Sequence, residues 1–194
     1  MGRTKQLLPW PTEQSERTLI ASAFDAIVGI CDKVVVVVGH ETDQVSASLA
    51  PRSFVVASAN ADAPMFESIR SGLTMARKIA PRSTVVLHPA DHPRVHPETL
   101  HRLIRVAEGC PNEAIIPVVD GRGGHPIFIP AGMVSHLIQL EAPGGLRQFW
   151  RENPHVSHRI AVDDPTIVQD LDTPQDYQQA LRHLKDESSS AEQR

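Results

Sequence analysis

The sequence predicts an α/β domain of three layers: a doubly wound, mostly parallel sheet with helices on both faces and a small β-hairpin inserted late. Three observations carry this. β-branched apolar runs alternate with stretches of helical period. The first of those runs, Val34-Val35-Val36-Val37-Val38, is continuous rather than alternating, the mark of a strand buried on both faces. The rhythm breaks once, after Val119, where glycines separate two apolar runs. At 194 residues the chain fits one such domain, read as 1–185, with 186–194 as a disordered Ser-rich tail.

The elements follow in order. Ser15–Ile30 places Leu19, Ile20, Ala23, Phe24, Ile27 and Val28 on one helical stripe. Lys33–Val38, closed by Gly39, is read as a central strand. Thr42–Leu49 is a short helix with Thr42 as its N-cap. Phe54–Ala57 is the next strand, and Ala63–Ile79 a helix with Met65, Ile69, Leu73 and Ala76 on one face. Thr84–Leu87 is a strand, and His96–Ala107 a helix opened by Pro97 in its first turn. Ala114–Val119 is a strand in which Pro117 implies a bulge or an edge. Asp120–Gly124 turns the chain, and His125–Ile129 pairs back. Helices at Met133–Leu140 and Gly145–Glu152, a strand at Ser157–Val162 and a helix at Pro174–Lys185 close the domain.

Composition narrows the function. A net charge of −4 without a long basic run argues against sequence-independent nucleic-acid binding. The two cysteines, Cys31 and Cys110, form no CxxC pair and read as free thiols. No apolar run reaches the roughly 18 residues of a membrane span, and no signal-peptide core is present. The expectation is a cytoplasmic protein without nucleic-acid or membrane partners.

In an open parallel sheet, ligands gather beyond the carboxyl ends of the strands. Three polar segments fall there: Gly2–Lys5, His88–Pro93 and Asp170–Pro174. A lysine in a glycine-bearing loop with two separated acidic points suits a nucleotide–magnesium site, because Mg2+ takes one or two carboxylates plus phosphate oxygens. Each piece has a plainer reading. Lys5 is also an ordinary surface lysine, Asp91 a cap for the turn before Pro93, and Asp170 and Asp172 caps for the last helix. His88, His92 and His96 have the i,i+4 spacing of helical zinc ligands, but Pro89, Pro93 and Pro97 deny them a helix. Neither a Walker loop, a dinucleotide fingerprint nor a serine-hydrolase elbow occurs.

Several motifs stand in one order: Met1-Gly2-Arg3-Thr4-Lys5-Gln6-Leu7-Leu8-Pro9; Val34–Gly39; Pro64-Met65-Phe66-Glu67-Ser68-Ile69-Arg70-Ser71-Gly72-Leu73; Ala90-Asp91-His92-Pro93; Gly121-Arg122-Gly123-Gly124-His125-Pro126; and Asp170-Leu171-Asp172-Thr173-Pro174-Gln175-Asp176. Together they resemble the MobA-like nucleotidyltransferases, most closely the molybdenum cofactor cytidylyltransferase branch. The family patterns are LAAGxSxRMGxxKxLLP, GM-x-x-S-x-x-x-G-L, GDQP, GRxGHP and DIDTPED.

The resemblance implies a Rossmann-like fold of the nucleotide-diphospho-sugar transferase type. It also implies transfer of a nucleotidyl group from a nucleoside triphosphate to a phosphorylated acceptor, with pyrophosphate released. CTP is favoured because no Asp precedes Lys5. A guanylyltransferase or other NTP transferase acting on a different phospho-acceptor is the alternative, as is a non-catalytic truncated remnant that acts as a binding partner. Lys5 and Asp91 would be catalytic. Gly2, Arg3, Lys5, Asn60 and Ser68 would bind nucleotide. Arg122, Gly124 and His125 would bind the acceptor, a molybdopterin phosphate in the favoured reading, although Arg122 reads equally well as a solvated turn residue. Asp91, Asp170 and Asp172 would hold Mg2+. Molybdoenzyme maturation proteins are the implied partners.

The chain departs from the pattern at Pro64, Ala90 and His92. It carries only the second half of the first motif, so Met1 is read as the internal Met of RMG, with a central strand expected upstream.

Overall fold

The strand–helix alternation is present, and the sheet it builds is mixed rather than mostly parallel. A computed structural model describes residues 4–11, 16–39, 41–141 and 144–191. Its elements are β1 (Pro9–Pro11), β2 (Glu16–Thr18), α1 (Leu19–Val28), β3 (Val35–Val38), α2 (Thr42–Leu49), β4 (Val55–Ser58), α3 (Met65–Ile79), β5 (Val85–Leu87), α4 (Pro97–Gly109), β6 (Ala114–Val119), β7 (Arg122–Gly123), β8 (Ile127–Ile129), α5 (Ala131–Gln139), α6 (Gly145–Glu152), β9 (Ser157–Ala161) and α7 (Pro174–Ala191). The last helix continues past the point where the sequence reading starts its tail.

β3 and β4 pair in parallel as a two-stranded sheet. The five-stranded sheet runs β5-β8-β6-β7, with β9 parallel to β6. β8 returns from the hairpin and inserts between β5 and β6, antiparallel to both, which mixes the sheet. Among the described residues β3 pairs only with β4, so the valine run is not a central strand. Val36 and Val38 are buried and Val35 and Val37 only partly so, half of what the continuous run predicts.

Local chemistry accounts for the other differences. Residues 16–18, expected in the first helix, instead pair with Pro9–Pro11 as a small antiparallel hairpin, and the Thr18 side chain caps α1 by accepting from the Ala21 N–H. Thr42 is not a cap. It is the first residue of α2, and its hydroxyl donates to the Gly39 carbonyl. Pro117 sits inside β6, not at an edge. Val118 pairs with Gly123 and Ile115 with Phe128, so the returning strand carries two more residues than β6 across this stretch. The Pro117 carbonyl, which accepts from the Gly124 N–H, faces that bulge, so the amide hydrogen proline lacks falls where the ladder is already loosened. The tip is a two-residue turn: Asp120 and Gly121 both have positive φ, 49° and 75°, the Asp-Gly geometry that matches strand twist.

Asp164 staples the loop after β9 to the start of α4. It is 0 % exposed and accepts from the His96 and Thr166 backbone N–H groups and from the Thr99 and Thr166 hydroxyls. Burial alone would raise its pKa, but these donors hold the carboxyl below its ordinary value. Asp25 on α1 plays a smaller version of this role, bound by both arms of Arg52 at 2.7 Å and by Arg17.

The hairpin's last glycine is fixed by packing. A Cβ on Gly124 would lie 2.2 Å from the Ile167 carbonyl oxygen, in a stretch pinned by the His125 N–H to that same oxygen at 2.8 Å. Gly124→Ala is therefore expected to lower unfolding free energy by about 2–3 kcal/mol through overpacking, read as a lowered urea midpoint at unchanged slope.

Candidate functional site

Lys5 opens a short 3-10 turn, and its two leucine neighbours aim into different parts of the core. Leu7 packs against the cluster of Ile20, Phe24 and Val36, on which Ala90 of the loop after β5 also rests. Leu8 packs against the cluster of Trp10, Leu19, Leu171 and Ala180, between the first hairpin and α7. The residues following those two contacts, Asp91 and Asp172, thereby converge on Lys5. Its Nζ donates to Asp91 Oδ2 and to Asp172 Oδ1, each at 2.7 Å. The hydrophobic registers of Leu7 and Leu8 thus bring together three charges more than 80 positions apart in the chain.

The electrostatics follow from partial burial. Lys5 and Asp91 side chains are 22 % and 25 % exposed, and Asp172 is 71 % exposed. Burial opposes the Lys5 ammonium, but hydrogen bonds to Asp172 and Asp91 outweigh it and hold the amine above its usual value. Burial likewise opposes the Asp91 carboxylate, and the Lys5 hydrogen bond and charge overcome it, leaving Asp91 below the usual range. Two carboxylates flank one ammonium, and at the half-buried Lys5–Asp91 pair charge interactions exceed their surface value.

Neither aspartate caps α7. A reciprocal capping box does so instead: the Thr173 N–H and hydroxyl bond Asp176 Oδ2, while Thr173 Oγ1 accepts from the Asp176 N–H. Asp170 is directed elsewhere. Its Oδ1 accepts from His92 Nε2 at 2.6 Å.

That contact leads to a group the sequence reading missed. His88, His92 and His125 stack edge to face, with ring centroids 6.1 Å apart for the first pair and 5.4 Å for the second. His88 Nε2 donates to the His92 carbonyl at 2.8 Å, and His125 Nδ1 to the Leu87 carbonyl at 3.4 Å. The buried Nδ1 atoms of His88 and His92 meet no hydrogen-bond partner. Desolvation, with the charge of His92 adding to it, pushes His88 down to about 3 and His125 to about 4. Both rings are neutral at pH 7. No helix passes through residues 88–96, in keeping with the proline argument against a helical zinc site. The signal for the cluster was the pair Ala90-Asp91-His92-Pro93 and Gly124-His125-Pro126, once β5 and β8 are known to be neighbours.

The remaining candidates lie on other elements. Asn60 is exposed in the turn after β4, its Oδ1 accepting from the Asp62 N–H at 3.0 Å. Ser68 lies half-buried on α3. Arg122 is exposed on β7, and Gly124 is buried against Ile167. Gly2 and Arg3 lie outside the described residues. Two clefts of about 410 Å3 are lined by neither Lys5 nor Asp91. One involves Pro111, Met133, His136 and Phe149, and the other Leu7, Arg17, Ser48 and Arg52. Convergent charge, not a closed cavity, marks the site.

Asp91 and Asp172 present hard oxygen atoms to a single cationic group, a donor set suited to Mg2+ or Mn2+. Among the described residues no helix is long and apolar enough to cross a membrane.

Comparison with known proteins supplies the chemical frame. Residues 1–158 match the MobA-like NTP transferase domain. The chain is 22% identical over 177 residues to the Escherichia coli molybdenum cofactor cytidylyltransferase, covering 91% of this chain and 86% of that one. It superposes on Mycobacterium tuberculosis Rv0371c, crystallised in complex with manganese, with a TM-score of 0.75 at 27% identity over 93% of each chain. A nucleotidyl transferase from Methanothermobacter shares the fold at a TM-score of 0.73 and 22% identity, over 92% of this chain and 84% of that one.

Proposed function

Because this chain belongs to the MobA-like NTP transferase family, a family of nucleotidyltransferases, we propose that it moves CMP from CTP onto a phosphorylated acceptor such as a molybdopterin phosphate and releases pyrophosphate. The observation that carries the reading is the placement of Lys5 Nζ 2.7 Å from both Asp91 and Asp172 at the rim of the sheet. Similarity to the cytidylyltransferase supports CTP and the pterin acceptor.

The acceptor phosphate attacks the α-phosphorus in line. Catalysis then consists of positioning the reactants and neutralising charge. Asp91 and Asp172 would hold Mg2+, and Asp170 could join them only by releasing His92 Nε2. When bound, the cation offsets charge on the triphosphate and the departing pyrophosphate. Lys5, bonded to the same carboxylates, is placed to turn its ammonium onto phosphate oxygens as a point charge. Gly2 and Arg3 would cradle the triphosphate, and Asn60 and Ser68 would contact the base and ribose.

Acceptor binding divides by charge. Arg122 supplies a permanent cation. His125 stays neutral with its Nδ1–H committed to Leu87, so it offers an uncharged ring to the acceptor. Gly124, packed on Ile167, would hold the backbone beside His125 in place for the acceptor. Proteins that mature molybdoenzymes would be the partners that receive the product.

A pyrophosphate-release screen tests this. CTP, GTP, ATP and UTP are crossed with a pterin phosphate, a sugar phosphate and a phospho-acid, each with Mg2+ or Mn2+. The expected result is acceptor-dependent release, fastest with CTP and the pterin phosphate. Faster release with GTP, or release that ignores the acceptor, overturns the assignment.

A further inference from the structure

At the other end of the sheet three side chains of different chemistry meet. Cys110 follows α4, its N–H bonded to the Val106 carbonyl at 2.9 Å. The chain then turns, and the Glu113 N–H donates to the Cys110 carbonyl at 3.2 Å. This Cys-x-x-Glu turn leads straight into β6. His158 is the second residue of β9 and pairs with Ile115 in the parallel ladder. Cys110 Sγ lies 3.7 Å from His158 Nδ1, and His158 Nδ1 lies 3.9 Å from Glu113 Oε2. All three donor atoms fall within 4.8 Å of one another.

We propose that Cys110, Glu113 and His158 form a zinc site separate from the transferase centre. The spacing fits. Zinc bonds of about 2.3 Å to sulfur and about 2.0–2.2 Å to nitrogen or oxygen, at tetrahedral angles, put ligand atoms roughly 3.3–3.6 Å apart. Two of the contacts are within a few tenths of an ångström of that range, and a rotation of the Glu113 side chain closes the third.

The ligand placement also fits. A two-residue spacer across a tight turn presents both side chains to one side, as in C-x2-C zinc turns. The third ligand comes from a rigid strand two positions of the ladder away. Thiolate and imidazole are soft and borderline donors that select zinc over magnesium. The half-exposed Glu113 and His158, at 42 % and 45 %, leave a fourth position open to water or to a donor from another molecule.

The location separates this site from the first. β6 and β9 begin here, whereas Asp91 follows the carboxyl end of β5, which runs parallel to β6 because both are antiparallel to β8. A metal here therefore does not touch the reacting phosphates. It would tie the end of α4 to the starts of β6 and β9, adding to the turn and ladder hydrogen bonds already there.

Cobalt substitution tests the site directly. Co2+ added to the chelator-stripped protein should bind with one equivalent showing a thiolate-to-cobalt charge-transfer band and intense visible bands of a tetrahedral ion, both removed by Zn2+. Cys110→Ser should abolish the charge-transfer band. His158→Gln and Glu113→Gln should each weaken binding about tenfold or more. Cys31→Ser and Asp91→Asn should leave the band unchanged. Zn2+ should raise Tm in the parent protein and not in Cys110→Ser. A cobalt spectrum lacking the thiolate band, or one that persists in Cys110→Ser, overturns the proposal.

Discussion

Asp91→Asn should reduce nucleotidyl transfer about a thousandfold in kcat while leaving the fold intact. The substitution preserves size and an oxygen that can still accept from Lys5, so the half-buried position loses no packing. What it loses is the negative charge that burial opposes and Lys5 sustains. Losing one preorganised charged group from a partly dry site typically costs 10²–10³ in kcat, and the loss of the proposed cation ligand should sit at the upper end. Asp172→Asn should cost only about tenfold, because that carboxylate is 71 % exposed and water screens it.

Steady-state kinetics with CTP and saturating acceptor, beside circular dichroism, reads both effects. The ordering is the informative part. If Asp172→Asn proves more damaging than Asp91→Asn, or if Asp91→Asn keeps activity within about threefold of the parent, then the carboxylate after β5 is not the centre of the chemistry.

Much of this site is legible before any coordinates. The Leu7-Leu8 pair, the acid after the third apolar run and the Asp-x-Asp before the last helix each have a sequence signal, and convergence beyond the strand ends follows from the α/β class. The Asp-Gly turn and Pro97 at the first position of α4 are equally local and appear where expected.

What sequence does not carry is adjacency between distant segments. Nothing in His125–Ile129 says that this strand inserts between β5 and β6, so neither the mixed sheet nor the meeting of His92 with His125 could be read. Asp164 is silent for the same reason: its donors at His96 and Thr99 lie more than 60 positions away. Thr173 and Asp176 do form a readable capping box, and it is this pair that frees Asp172 for Lys5. The residues just before α1 show the reverse case. Their composition allows a helix, but pairing with Pro9–Pro11 buries Trp10 to 2 % exposure, and that tertiary gain wins over a few tenths of a kcal/mol of helix propensity.

Acid should destabilise the protein well above the carboxylate range, and the imidazole cluster is the reason. An ordinary imidazole titrates near 6.5, whereas His88 and His125 are held at about 3 and about 4. Below pH 6.5 the unfolded chain takes up protons at these positions while the folded chain refuses them until the pH nears their native values. Stability from both groups is therefore complete above pH 6.5 and falls as the solution is acidified through the interval from 6.5 to about 4. At about pH 5 the loss is of the order of 2 kcal/mol for each ring, about 4 kcal/mol together.

The geometry explains the refusal. A proton on His88 Nδ1 would create a buried N–H with no acceptor, and a charge on either ring would face His92 across an edge-to-face contact. The lowered carboxyls of Asp164 and Asp25 shed their stabilisation only as pH falls through values below 3.8, so they act in a separate, more acidic window. Urea unfolding at about pH 7.5 and about pH 5 separates the contributions. The parent should lose several kcal/mol between the two, and His88→Gln with His125→Gln, though less stable at neutral pH, should show a nearly flat profile over the same interval. A parent whose midpoint does not move, or a double variant as steep as the parent, would show that these rings take up protons in the native state as readily as in water.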